Sequence, residues 1–312
     1  MVLMVQESRV FHMMGTVIEV TVAHTNAFEI IGNVEKMLTM YERRFSANDS
    51  ESELSQVNQA AGICPVSVHP DLFELAQMGK EHSCASGSLL NIAIGPLVQS
   101  WRIGFSDARI PDNQEILKLL EMTEPENIIL NPEAQTIYLT KPGMKIDLGA
   151  LAKGYIADRV IDYLREEAVT SGLINLGGNL VVIGPAPRRK DGIWRIGIQN
   201  PTKTRGDSQV ILKVSNQSVV TSGIYERHLE KDNQSYHHIL NPETGYPVET
   251  NLASLTIVSD QSVDGEIWTT RLFGKRIPDI LGQVECLPGI EGLIITQTGQ
   301  VLTTSGLKEK LV

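Results

Sequence analysis

Cysteine is scarce in this 312-residue chain, with only Cys64, Cys84 and Cys286 present. Odd in number and far apart, they offer neither a disulfide framework nor a zinc site. They read as buried thiols, a common state of free cysteine. Long apolar runs are missing too: nowhere do the roughly 18 consecutive apolar residues of a membrane-spanning helix occur. The opening MVLMVQESRV is interrupted by Gln6, Glu7 and Arg9 before a leader-type apolar core can form, and no lipobox-like cysteine follows. The chain therefore reads as cytoplasmic. Basic charge is also short, 27 Lys and Arg against 37 Asp and Glu, for a net charge of -10. That balance argues against a nucleic-acid surface, which draws its affinity from clustered cations. A phosphorylated ligand would have to be held by local devices: a helix N-terminus, a glycine-rich turn, or a divalent cation bridging carboxylate to phosphate.

What is present suits a globular core, since 42% of the residues are hydrophobic. In Gly15 to His24, Ile18, Val20 and Val22 alternate with Val17, Glu19 and Thr21, which predicts a strand. From Asn26, a candidate N-cap, Phe28, Ile31, Val34, Met37, Leu38 and Tyr41 recur at helical spacing and predict a core-facing helix. Further helices are predicted at 71–83, 112–122, 150–166 and 276–286, the third following a strand-like Met144 to Ile146. Strands are predicted at 173–183, 193–199, 209–215, 218–223, 236–240, 252–258 and 291–296. Grouped helices and long strand runs imply an α+β architecture with largely antiparallel sheets. No internal repeat is evident, and if two subdomains exist their boundary lies near 185–191.

Five segments carry candidate chemistry. Asp147 to Tyr155 places small residues where a strand turns into a helix, so that backbone N–H groups can face an anion, although Asp147 could equally be a cap and Lys153 a solvated charge. Asn175 to Asn179 contains Gly177-Gly178, which permits close backbone approach to a ligand or a plain tight bend. Thr221 to Arg227 supplies hydroxyls and an arginine in another turn. In Tyr236 to Gly245, His237 and His238 on a strand must point to opposite faces, so one of them can serve a pocket as a base, or both can simply pack. In Asp264 to Thr270, Glu266 and Thr270 share a face if helical, and carboxylate plus hydroxyl suits a hard cation as well as it suits an ordinary helix start.

Taken in order, these segments resemble the ApbE family of FAD:protein FMN transferases. The likeness also rests on His12 to Thr16, on Phe45-Ser46 and Ser52 to Asn58, and on Ser86-Gly87 with Asn91 to Val98. It implies a single ApbE-like, T-fold-like domain over 1–312. It implies an FAD site lined by Met14, Asn48, Leu89, Leu90, Asn91, Asp147, Lys153 and Ile239, and a magnesium site from the Ala150 carbonyl with Glu266, Thr270 and Thr269. His238 falls at the position of the catalytic histidine. The implied reaction moves FMN from FAD to a Thr or Ser hydroxyl in a small-residue-rich segment of an acceptor flavoprotein and releases AMP. A magnesium-dependent FAD pyrophosphatase and a non-catalytic FAD carrier are the alternatives. Glu266, Asn91 and Asn241 stand where the family commonly has Asp, and Ile224 where it has a polar residue. The two asparagines keep hydrogen-bonding capacity but weaken the case for a second acid-bound metal.

Overall fold

The structure is a computed structural model that describes residues 5–204, 206–231 and 234–312. The first four residues of the segment read for a leader lie outside it. The chain opens with a hairpin of β1 (Val5–Met13) and β2 (Thr16–His24), paired from Val5↔His24 to Met13↔Thr16. Its turn residues Met14 and Gly15 both have positive φ, 54° and 66°, a conformation that matches the strand twist in two-residue hairpins. As the alternation predicted, Ile18, Val20 and Val22 are fully buried. The polar run Gln6 to Arg9 had hidden β1 from the sequence reading.

Helix α1 (Ala27–Phe45) buries Ile30, Ile31, Val34, Leu38 and Tyr41, but Phe28 is 74% exposed, against expectation. It sits in the first turn, under the Arg9 guanidinium of the edge strand, 4.1 Å from its ring centroid. Asn26 occupies the N-cap without a side-chain cap bond. There follow α2 (Glu53–Gln59), capped by the Ser52 hydroxyl, then β3 (Val66–Ser67), α3 (Pro70–Cys84), α4 (Gly95–Trp101) and α5 (Asn113–Leu120). Strands β4 (Ile128–Asn131) and β5 (Thr136–Leu139) join β3 in a small sheet.

The strand expected at 144–146 is instead one isolated parallel bridge, Ile94 to Lys145. The Asn58 side chain replaces a neighbouring strand there: its Oδ1 accepts from Ile146 N–H at 2.7 Å and its Nδ2 donates to Ile146 C=O at 2.9 Å. Helix α6 (Ala152–Glu166) comes next. The run predicted as one strand over 173–183 is two, β6 (Ser171–Leu176) and β7 (Asn179–Ile183), because Gly177 and Gly178 reverse the chain at φ 65° and 97°. Beyond the loop at 185–191 lie β8 (Trp194–Gln199), β9 (Ser208–Val214), β10 (Ser218–Gly223), β11 (His228–Lys231) and β12 (Gln234–His237). The chain continues with β13 (Leu252–Ser259), α7 (Ser262–Leu272), α8 (Ile277–Glu285), β14 (Glu291–Thr296) and β15 (Val301–Thr303).

Eight strands form one sheet in the order β1-β2-β6-β7-β10-β13-β14-β15, antiparallel throughout. Helices α1 and α6 bury one face of it with Ile18, Val20, Ile174, Leu176 and Val181. On the other face the β8–β9 hairpin packs Ile198 and Leu212 against Val182, Val219, Val258 and Leu293. The fold is therefore the α+β arrangement expected. The cysteine expectation is overturned: Cys64, Cys84 and Cys286 are all exposed. Cys64 lies in a turn, and Cys84 and Cys286 stand at the ends of α3 and α8, where chain leaves the core.

Candidate functional site

The site is built where α6 begins and α7 passes it. Gly154 makes the approach possible, since a Cβ there would lie 2.7 Å from the Ser262 carbonyl and 2.8 Å from Glu266 Cγ. Asp158, one turn further along α6, caps α7 by accepting from Ser262 N–H at 2.7 Å and Val263 N–H at 2.9 Å. Burial pushes the Asp158 carboxyl up to about 6, against those two bonds. Across this junction Lys153 Nζ stands 3.2 Å from Glu266 Oε1.

Glu266 is only 4% exposed, and the same Oε1 accepts from Asn179 Nδ2 at 3.0 Å. Asn179 in turn accepts from the Ser262 hydroxyl at 2.6 Å. These bonds fix one carboxylate oxygen, while Oε2 has no hydrogen-bond partner among the described residues. Thr270 follows one turn later on the same helix and remains partly exposed. Thr269 is fully buried and donates to the Glu266 carbonyl at 3.1 Å, which turns its hydroxyl toward the helix backbone. Among the described residues no backbone N–H donates to the Ala150 carbonyl. A free carboxylate oxygen, a hydroxyl and a free carbonyl are hard-oxygen donors that fit magnesium with water completing its shell. No group of three or more His, Cys, Asp or Glu gathers among the described residues, so the donor set does not fit a zinc centre.

Asp147 is not the cap of α6; that position is Leu151, which makes no side-chain cap bond. Asp147 folds back, its Oδ1 accepting from Gly149 N–H at 2.8 Å, and burial raises its carboxyl above the ordinary range despite that bond and the Arg227 charge. Lys153 occupies the first turn of α6, where the helix dipole disfavours a cation. Two positive features thus point the same way, as an anionic ligand would require.

His238 lies one residue past the end of β12, in a bend and not within the strand predicted at 236–240. Its Nδ1 stands 3.2 Å from the Arg227 carbonyl, and its own N–H reaches the same oxygen at 3.2 Å. In the neutral ring that contact makes Nδ1 the donor, which leaves Nε2 as the free acceptor. Burial, aided by the charges of Arg227, His237 and Lys153, brings the imidazole down to about 4. His237 is used structurally, with Nε2 2.9 Å from the Val248 carbonyl and Nδ1 accepting from Ile239 N–H.

The remaining expected residues differ in what they leave free. Met14 holds the hairpin turn, its N–H donating to Glu42 at 2.6 Å. Asn48 is exposed and accepts from Gln99 at 3.0 Å. Leu90 is 1% exposed within the main core, so it can meet a ligand only through its backbone. Leu89 donates to the Arg271 carbonyl at 3.4 Å, and Asn91 is spent at both ends, on Thr123 C=O and Ala93 N–H at 2.8 Å each. Ile239 is half-buried beside Phe273 and Leu252.

The ApbE-family sequence profile matches residues 14–294. The chain belongs to the ApbE family. It is similar to an FAD:protein FMN transferase of Klebsiella pneumoniae, 40% identical over 279 residues that cover 88% of this chain and 85% of that one. It is also similar to an FAD:protein FMN transferase of Treponema pallidum, 31% identical over 97% of this chain and 88% of the relative. Among solved structures, the ApbE protein of Thermotoga maritima superposes with a TM-score of 0.89 at 25% identity, over 98% of this chain and 99% of that one. The flavin transferase ApbE of Vibrio cholerae gives 0.83 at 22% identity, over 98% of this chain and 100% of that one, a likeness of fold.

Within this ApbE fold, three residues outside the expected site set also hold it: Asn179 and Arg227, which the sequence reading placed in candidate segments without assigning them a role, and Asp158, which it did not single out. Asn179 had a signal, as an amide opening a strand directly after two glycines. Arg227 closes against the Gly15 turn, with its Nη2 3.4 Å from the Gly15 carbonyl, and its charge reaches both Asp147 and His238. Asp158 had none, because a carboxylate inside a helix looks like any solvated charge.

Proposed function

We propose that this chain is a magnesium-dependent FAD:protein FMN transferase acting on a Thr or Ser hydroxyl of a flavoprotein. The observation that carries the reading is the α6–α7 junction, where Lys153 meets Glu266 at 3.2 Å and leaves the second carboxylate oxygen free, in a chain 40% identical to a protein of that name. Lys153, Arg227 and the N-terminus of α6 bind the diphosphate of FAD. Met14, Asn48, Leu89, Leu90, Asn91, Asp147 and Ile239 frame the rest of it, Leu90 through its backbone. Glu266, Thr270 and the Ala150 carbonyl would hold magnesium, which would supply neutralisation of the diphosphate and of charge on the departing AMP.

Nε2 of His238 takes the proton of the acceptor hydroxyl. The hydroxyl oxygen bonds to the FMN phosphorus as the bond from that phosphorus to the bridging oxygen breaks, and AMP leaves with the bridging oxygen. The product is a phosphoester-linked flavin on a segment rich in small residues, which can lie close to the flavin without a clash. The test is the mass of a co-incubated acceptor flavoprotein with FAD and magnesium. Addition of one FMN, abolished when the acceptor Thr is changed to Val, supports the reading. Fast AMP release that needs no acceptor identifies a pyrophosphatase instead, and recovery of unchanged FAD identifies a carrier.

A further inference from the structure

Strand β1 ends the eight-stranded sheet, and among the described residues no strand pairs with its outer side. Nine residues long, it carries no proline or bulge to blunt the edge, and its only charges are Glu7 and Arg9, which lie 3.8 Å apart on one face. Its hairpin fixes which backbone groups face outward. In a two-residue hairpin the pair flanking the turn, Met13↔Thr16, exchanges both hydrogen bonds, and bonded pairs then alternate. Phe11, Arg9 and Glu7 therefore spend their N–H and C=O on β2. Gln6, Ser8, Val10 and His12 present theirs to the open side.

The side chains on this edge are self-complementary about Ser8. An antiparallel pairing with a second copy, centred on Ser8, sets Glu7 against the partner's Arg9 and Arg9 against the partner's Glu7. Both pairs fall at non-hydrogen-bonded positions, where cross-strand side chains lie nearest. Shifting the centre to Arg9 would use the same outward backbone groups but would oppose arginine to arginine. The same register brings the partner's Val10 opposite Gln6. Val10 is 57% exposed, and Gln6 lines an open depression of about 180 Å³ shared by Ala186, Pro187 and Trp194 with the side chains of Arg188, Arg189 and Arg195. On the other face, the 74% exposed Phe28 lies under the Arg9 guanidinium, 4.1 Å from its ring centroid, and gains cover.

We propose that this chain forms a two-fold dimer through antiparallel β1–β1 pairing in the Ser8-centred register, joining two eight-stranded sheets into one. Sedimentation velocity of the full chain over a dilution series should show a species of twice the monomer mass. Val10→Pro deletes an outward N–H without touching the β1–β2 ladder and should sediment as a monomer with unchanged circular dichroism. Glu7→Arg should raise the dimer dissociation constant about tenfold or more, and the double variant Glu7→Arg with Arg9→Glu, again self-complementary, should restore it. A monomeric wild type at every concentration overturns the proposal, as does a dimer that survives Val10→Pro. If Val10→Pro fails to fold, the charge pair decides: a double variant no tighter than Glu7→Arg alone overturns this register.

Discussion

In the unfolded chain the His238 imidazole would take a proton near its ordinary value of about 6.5; in the folded, ligand-free protein burial delays this to about 4. A base must be neutral to work, so His238 is competent above about 4, and the acidic limb of kcat/KM should fall there. FAD's negative charge beside the ring favours the protonated form, so the limb in kcat should lie higher than the limb in kcat/KM. A kcat/KM limb at about 6.5 would mean a solvated ring that does not serve as proposed. The same difference has a sign for folding. As pH drops through about 6.5 the unfolded chain binds this proton first, so stability declines between there and about 4. Glu266 makes a separate prediction, because Glu266→Gln keeps the shape and removes the charge. Its half-saturating magnesium concentration should rise about tenfold to a hundredfold with little change in melting temperature. Unaltered magnesium dependence would remove Glu266 from the ligand set.

Helices α6 and α7 work as a clamped pair, and the clamp is a missing side chain. Gly154→Ala would set a methyl carbon within 2.7 Å of the α7 backbone, so the helices must part and Lys153 must leave Glu266. Transfer activity should fall sharply while far-ultraviolet circular dichroism stays the same. Asp158→Asn offers one acceptor where two N–H groups need one each, and leaving Val263 N–H without a partner should cost about 1–3 kcal/mol in urea unfolding. A cost near zero would mean that water reaches the α7 N-terminus. These elements also show what could be read in the chain beforehand. Strand β2 and helices α1, α3, α5, α6 and α8 were legible, because most bury one face and so keep a period of two or near four. Helix α7 was placed only conditionally. It is buried on most sides, with Val263, Glu266, Ile267, Thr269 and Leu272 all inside, so its apolar pattern loses the helical beat. The Glu266–Thr270 spacing was visible, but the bonds that hold Glu266 come from Lys153 and Asn179, distant in sequence and invisible to any local pattern. Strand β1 was missed for the opposite reason: most of its residues face solvent or the edge, and an exposed strand needs no alternation.

Across the whole molecule, the sheet separates two jobs. Its helical face carries the site, and its other face carries the β8–β9 hairpin, whose Leu212 is fully buried against Val219 and Val258. Leu212→Ala should therefore cost about 2–5 kcal/mol of global stability while leaving KM for FAD within about twofold. A large change in KM would show that the hairpin and the site are coupled through the sheet. The strand order places β1 and β15 at opposite margins of one continuous sheet. With neighbouring strands about 4.8 Å apart, those margins are separated by roughly 34 Å. A fluorophore or fused reporter carried beside β15 can thus follow melting of the complete sheet while standing clear of the hairpin that presents Met14.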